Sequence, residues 1–338
     1  MVSTLLAKYE NKPRLDIIIN SSFNQIPDWD TLRSIFGEGV YINPGVPELE
    51  WRELSLATPY DLGKDLGERT ILGKGRVIRF EGRMIDSFTI QAQRRGVITD
   101  LSWMETGQYC FTLTKDGNNI IVGTRGGSES VGQVIALPVG SVGYPSEEDE
   151  YVKRLFFGNS EMEIDPCKLA TMKEGWEEGA IHPKEDLEYL DLIGVYRQDK
   201  GSAAPSNIFM YLSRLNIDGK EIIERHRRSM REYNAIKDKF KTNADSSQVE
   251  IMARTHLQIL AFHLPENGWA KDAWENESLS LWPADPRDLV KMFEAKPNEN
   301  LKHGMYGAIA LYVLDTNENL FGRLMSLPQF KEQLKEDF

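Results

Sequence analysis

Lys173-Glu174-Gly175-Trp176-Glu177-Glu178-Gly179-Ala180-Ile181 is the stretch on which the reading of this chain turns. It closes a helix that Asp165-Pro166 opens. A carboxylate at the N-cap accepts from free backbone N–H groups, and proline suits the first helical position because it has no N–H to leave unpaired. Gly179 is the expected stop. Spacings of three and four residues put Glu174 beside both Glu177 and Glu178 on one face. Like charges so placed, near the negative end of the helix dipole, cost a few tenths of a kcal/mol per pair. A hard divalent cation such as Mg²⁺ or Mn²⁺ offsets that cost, because it takes carboxylate oxygens and leaves positions for water and phosphate. For an isolated Glu-x-x-Glu-Glu the simpler account is a solvated acidic face, so its surroundings have to decide.

Those surroundings read as mixed α/β. Residues 15–19 form a strand, 31–36 a helical turn, 43–64 a loop punctuated by Pro and Gly, and 76–94 one or two strands. Residues 109–114 and 120–124 flank Lys115-Asp116-Gly117-Asn118-Asn119, which predicts a hairpin with Asp-Gly and Asn in the turn. A further strand, 133–137, runs into Pro138-Val139-Gly140, and a charged stretch, 144–163, leads to the acidic helix. Strands at 189–196 and 208–215 follow, then a long basic helix at 219–241 and a polar hinge at 242–247. Helices at 249–263, 285–295, 301–314 and 320–336 make the last hundred residues mostly α.

In that setting, 173–181 resembles the second half of the Nudix box, R-E-U-x-E-E-x-G-U with U aliphatic. Asp165-Pro166-Cys167-Lys168-Leu169-Ala170-Thr171-Met172 fits the acidic and small residues that precede that motif. Upstream, Gly123-Thr124-Arg125 and Gly132-Gln133-Val134-Ile135-Ala136-Leu137-Pro138-Val139-Gly140 resemble the family's approach to its Pro-Gly-Gly turn. Downstream, Leu192-Ile193-Gly194-Val195-Tyr196 resembles the strand that follows. The resemblance covers roughly 108–215. Three positions depart from it: Lys173 stands for arginine, Gly175 for an aliphatic residue and Ala180 for the box glycine. Between Gly140 and Asp165 lie 165 − 140 − 1 = 24 residues where the family has five, an insertion of about 19. Residues 143–162 then suit either a lid or a dimer arm.

The resemblance implies a Nudix-like α/β/α sandwich with a mixed sheet over 105–245, preceded by an α/β extension, 1–104, and followed by a helical region, 246–338. It implies Mg²⁺- or Mn²⁺-dependent hydrolysis of a nucleoside diphosphate linked to another moiety, a nucleotide sugar or ADP-ribose-like compound, by a homodimer. Glu174, Glu177 and Glu178 would be the metal ligands, with the Gly140 carbonyl a fourth. Lys173 would stand where the family's arginine orients a glutamate, without the bidentate fork. Arg125 would lie near the substrate, and Asp165 would be both helix cap and support to the site. The altered box positions motivate a rival expectation, a catalytically weak or inactive protein that binds a nucleotide in the same cleft.

Composition bounds these readings. With 40 basic against 52 acidic residues, a net of −12, the chain is a poor general binder of nucleic acid or anionic membrane. The surplus is local: 144–191 holds 14 acidic and 5 basic residues, whereas 217–241 holds 8 basic and 5 acidic. Such a region should repel a pyrophosphate without metal and hold one with it. Cys110 and Cys167 make no disulfide framework, and no stretch has the length and apolarity of a signal peptide or membrane span, so a cytoplasmic protein is expected.

Other features are less pointed. The general base is not identified; Glu224 and Glu232 are candidates only because they follow the last strand, and solvated roles explain them as well. The basic helix suits substrate phosphates, an acidic dimer partner or plain solvation. His182, His226, His256, His263 and His303 show no zinc-ligand pattern. Trp269, Trp274 and Trp282 suit a base-stacking platform, a dimer contact or a satellite core. Arg125-Gly126-Gly127 lacks the Gly-Lys-Ser/Thr ending of a phosphate loop. On the metal reading, Glu178→Gln is expected to remove most Mg²⁺-dependent turnover while leaving the circular-dichroism spectrum intact, and unchanged turnover would count against the assignment.

Overall fold

The strand that crosses the middle of the molecule is buried along almost its whole length, so it must be covered on both faces. The computed structural model describes residues 3–8, 14–20, 54–59, 70–72, 75–86, 90, 93, 102–126, 131–143, 147–158, 164–198, 206–241, 245–264, 267–296 and 300–335. Its strands are β1 (Ser3–Lys8), β2 (Arg14–Asn20), β3 (Leu54–Pro59), β4 (Thr70–Leu72), β5 (Gly75–Asp86), β6 (Trp103–Leu113) and β7 (Asn119–Arg125). They continue as β8 (Val134–Ala136), β9 (Val139–Ser141), β10 (Leu187–Gln198), β11 (Ser206–Leu215), β12 (Asn276–Pro283) and β13 (Leu334–Lys335). The helices are α1 (Glu147–Phe157), α2 (Pro166–Gly179), α3 (Gly219–Phe240), α4 (Ser246–His263), α5 (Pro286–Ala295), α6 (Gly304–Thr316), α7 (Glu318–Met325) and α8 (Pro328–Lys331).

One mixed sheet runs β13-β1-β10-β11-β6-β3-β5-β2. β6 and β11 pair in parallel, and β10 joins β11 antiparallel. The far edge of β6 is divided: β3 takes its start, β9 its middle and β7 its end. β7 then carries β8 and β12 as a branch. Side-chain alternation on β6 and β11 sorts two cores. Tyr109, Phe111, Ile208 and Met210 face α5 to α8, where Leu289, Phe293, Ile309 and Phe330 pack. Cys110, Phe209 and Tyr211 face α2, against Cys167 and Ala170. The result is a three-layer α/β/α arrangement, as the sequence leads one to expect.

α2 forms as its sequence predicts. Asp165 caps it, accepting from the Cys167 and Lys168 N–H groups at 2.8 and 3.3 Å. The helix ends at the expected Gly179, and its left-handed C-cap is the next residue: Ala180 holds φ 54° and ψ 33° at the position where the box has glycine. Arg225 of α3 donates to the Ala180 carbonyl at 3.1 Å and to Asp186 at 2.6 Å, which ties the strained exit down. Trp176 is buried between Phe156 of α1 and Phe262 of α4, with ring centroids 5.8 and 5.2 Å away. Burying an indole contributes on the order of 4 kcal/mol. The inserted segment is therefore helical in its described part, and Val152 and Phe156 seal the outer face of α2. Residues 144–146 and 159–163 fall outside the described set.

Several expected elements differ. The loop expected at 43–64 contains β3, because Leu56 and Ala57 are buried apolar residues with strand partners on both sides. The single helix expected at 320–336 is α7 and α8, interrupted before Pro328, which cannot continue the preceding hydrogen-bond ladder. The region after 246 holds a strand that the sequence reading passed over: β12 pairs with β7 from Asn276 to Pro283. The helical turn expected at 31–36 lies outside the described residues. β1 and β13, from opposite ends of the chain, pair with each other beside β10, so strands from all three expected regions enter one sheet. No helix among the described residues is long and apolar enough to cross a membrane.

The buried cap makes stability pH-dependent. Burial raises the Asp165 carboxyl from 3.8 to about 6 against the pull of the Lys168 and Cys167 N–H groups and the Tyr211 hydroxyl. A raised carboxyl favours the protonated folded form, so its contribution is complete below about pH 4 and is lost as pH rises through about 6. At about 1.4 kcal/mol per pH unit this amounts to on the order of 3 kcal/mol. Asp165→Asn keeps a capping acceptor. Its denaturant-unfolding stability is expected to lose the decline between about pH 4 and 6; an unchanged decline would place its origin elsewhere.

Candidate functional site

The last turn of α2 lies against the segment from Leu137 to Gly140. Gly179 eases this close approach, since an added Cβ would stand 3.1 Å from Leu137 Cδ2, whereas at Gly175 it would meet Pro138 Cγ at 3.5 Å, an ordinary contact distance. Beside them, Glu174 crosses directly over Gly140. A Cβ on Gly140 would fall 2.3 Å from Glu174 Oε1 and 2.5 Å from its Cδ, so the glycine is what leaves room for this carboxylate.

The helix brings Glu174, Glu177 and Glu178 together as the spacing requires, and the tertiary structure treats each differently. Glu178 is buried. Its Oε1 accepts from Arg125 Nη1 at 3.0 Å and its Oε2 from the Val139 N–H at 3.4 Å. Glu177 is buried too, with Oε1 2.8 Å from Lys271 Nζ, and its carbonyl accepts from the Asp272 N–H at 2.8 Å. Glu174 is half-buried, and among the described residues no hydrogen bond or ion pair is made to its carboxylate. Burial drives the Glu174 carboxyl well above the usual range, and Glu177, Glu178, Glu275 and Asp272 push it further. Burial raises Glu178 as well, with Glu275 adding to the rise, while Arg125, the Val139 N–H and Lys302 pull it down. For Glu178 burial outweighs its own ion pair.

Arg125 and Gly140 both lie beside the acidic turn, Arg125 against Glu178 and Gly140 beneath Glu174. Lys173 Nζ lies 3.7 Å from Asp149 of α1, and Arg125 and Lys271 each stand against a box glutamate. Neither general-base candidate is brought to the site. Glu224 pairs with Arg231 at 2.8 Å, and Glu232 lies 3.6 Å from His256. The three tryptophans divide among separate clusters, so they form neither one platform nor one satellite core.

Sequence reasoning missed the contribution of the segment around the short 3-10 turn, Ala273–Glu275. Lys271 and Asp272 reach Glu177, and Glu275 Oε2 lies 2.8 Å from the same Arg125 Nη1 that serves Glu178. Nothing in Lys271-Asp272-Ala273-Trp274-Glu275 is a motif. Only the pairing of β12 with β7, Asn276 opposite Arg125, delivers it to the site.

Among the described residues no three His, Cys, Asp or Glu side chains converge as a ready-made metal cage. The donor chemistry nonetheless fits Mg²⁺ or Mn²⁺: Mg²⁺ is ordinarily held by one or two carboxylates together with waters and substrate phosphates. Glu174, which faces Gly140 and has no ion pair among the described residues, could supply the first of these, and Glu178 the second.

The chain matches no protein-family model and no curated protein. Among solved structures it is similar to Tm1382, described as "a putative Nudix hydrolase", over 61% of this chain and 99% of that one. The identity is 13% and the TM-score 0.30, a likeness too loose to carry an argument.

Gly140→Ala tests the close approach. It is expected to displace Glu174 and to weaken any cation-dependent property at least about tenfold, while the melting temperature without metal shifts by only a few degrees, because the flexible carboxylate gives way rather than the backbone. A metal response equal to wild type would show that the contact is incidental.

Proposed function

We propose that this protein is a divalent-cation-dependent hydrolase of the Nudix type, acting on the pyrophosphate of a nucleoside diphosphate linked to another moiety, such as a nucleotide sugar or an ADP-ribose-like compound. A cytoplasmic homodimer belongs to the same reading. The observation that carries the proposal is Glu174: a half-buried carboxylate over Gly140, with no ion pair among the described residues and acids as its electrostatic neighbours. A carboxylate so placed takes up either a proton or a cation.

A bound Mg²⁺ or Mn²⁺ would neutralise charge on the phosphoryl oxygens and lower the pKa of an attacking water. Glu174 and Glu178 would hold it, with the Gly140 carbonyl beside them. Lys271 would hold Glu177 in place, so that Glu177 supports the turn through its ion pair. Arg125, 15% exposed at its side chain, supplies positive charge at the rim for a phosphate.

The test is hydrolysis of a panel of nucleoside diphosphate derivatives with Mg²⁺ or Mn²⁺, followed by phosphatase-coupled phosphate release, alongside melting with and without metal. Glu174→Gln is expected to lose the metal-induced rise in melting temperature and at least roughly a hundredfold in turnover, since metal polarisation is worth several kcal/mol. A variant as active and as metal-responsive as wild type would refute the proposal.

One observation favours a second reading, that of a catalytically weak nucleotide binder. Arg125 and Lys271 already neutralise two of the three box glutamates. Tight nucleotide binding with no turnover on any member of the panel would decide for it.

A further inference from the structure

The ion pairs around Arg125 are arranged unlike an ordinary surface bridge. One nitrogen, Nη1, serves two carboxylates at once: Glu178 Oε1 at 3.0 Å and Glu275 Oε2 at 2.8 Å. Both acids are fixed independently of the arginine. Glu178 stands on α2 and is held by the Val139 N–H. Glu275 is anchored through its backbone, whose carbonyl accepts from the Gly126 N–H at 2.9 Å, just ahead of the β7–β12 pairing. Arg125 Nε, by contrast, is buried without a hydrogen-bond partner. A single positive charge thus faces two carboxylates from different elements, with the uncompensated Glu174 on the same turn of α2 and Tyr109 adjoining.

We propose that Arg125 is a resident counter-ion that competes with the divalent cation for Glu178 and Glu275, and that Glu275, from outside the box, belongs to the cation's surroundings. The inference rests on the cation-dependent reading above and concerns how that site is regulated. With the acids ionised, the charge balance favours exchange: one guanidinium leaves two carboxylates and Glu174 with net negative charge, whereas a doubly charged ion compensates more of it. A guanidinium released from the acids is a planar donor fork well matched to a phosphate. Cation and phosphate would then be taken up together, because the metal frees the residue that meets the substrate. The cost is weaker binding of metal alone, in proportion to the fraction of protein whose acids are already occupied.

The experiment is a Mn²⁺ titration of the melting temperature, with Mn²⁺ as the sole ligand, on the full chain and on Arg125→Gln, Arg125→Lys and Glu174→Gln, each first melted in chelator to establish a cooperative fold. Arg125→Gln is expected to reach half of its metal-induced shift at about tenfold less Mn²⁺ than wild type, the order expected for removing a charged hydrogen bond. Arg125→Lys should fall between, and it carries the test alone if the glutamine variant does not fold. Equal or higher Mn²⁺ demand in both arginine variants, with a wild-type shift that Glu174→Gln abolishes, would overturn the competition and leave the cation site standing. No shift in wild type or in either arginine variant would overturn both.

Discussion

Two buried glutamates at the carboxyl end of one helix must be given positive charge from elsewhere, and much of the site's architecture answers to that requirement. Glu177 and Glu178 lie where the helix dipole opposes them and where water is excluded. Each is met by a cation from a distant segment. Arg125 arrives from the end of β7 and Lys271 from the chain just ahead of β12. The pairing of β7 with β12 brings these two cations to one turn, so the C-terminal region is bound to the central layer by charge as well as by apolar packing. Glu174 is the residue left over: among the described residues no ion pair is made to its carboxylate, and its electrostatic neighbours are acids.

The same geometry explains the departures from the Nudix pattern. Gly175 lies against Pro138 and Gly179 against Leu137, so the helix approaches this strand more closely than large side chains would permit. Ala180 adopts the left-handed conformation that glycine takes more readily, at a cost of about 1–2 kcal/mol, and Arg225 secures the carbonyl there. Lys173 turns to Asp149 of the inserted helix, and Lys271 holds Glu177. The insertion contributes Val152 and Phe156 to the packing around Trp176, so its described part is a structural layer over the acidic helix.

Gly140 stands opposite Gln108 in the middle of β6, on the edge that is divided among β3, β9 and β7. There β9 presents Gly140 to α2 without a side chain in the way. Basic α3 serves this construction too. Arg225 and Arg228 close loops around the site's periphery, Arg225 on Asp186 and Arg228 on the carbonyls of Asn267 and Gly268, while Glu224 and Arg231 pair with each other at the exposed face. The positive charge counted along 217–241 is thus partly internal to the fold.

What the sequence determined by itself is local. Asp165-Pro166 and the three- and four-residue spacings define α2 and the shared face of its glutamates, and alternation gives β6, β7, β10 and β11 within a few residues, because caps and periodicity act over a single turn or pleat. Gly140 and Arg125 were legible through the order of elements. What only the tertiary structure decided is which charge meets which. Lys271 lies 94 residues from Glu177, and Glu275 meets Arg125 through the pairing of two strands distant in sequence, one of which the sequence reading had passed over. No local pattern encodes such pairs: an ion pair depends on the distance between two atoms, and chain spacing says nothing of that distance until the sheet is assembled.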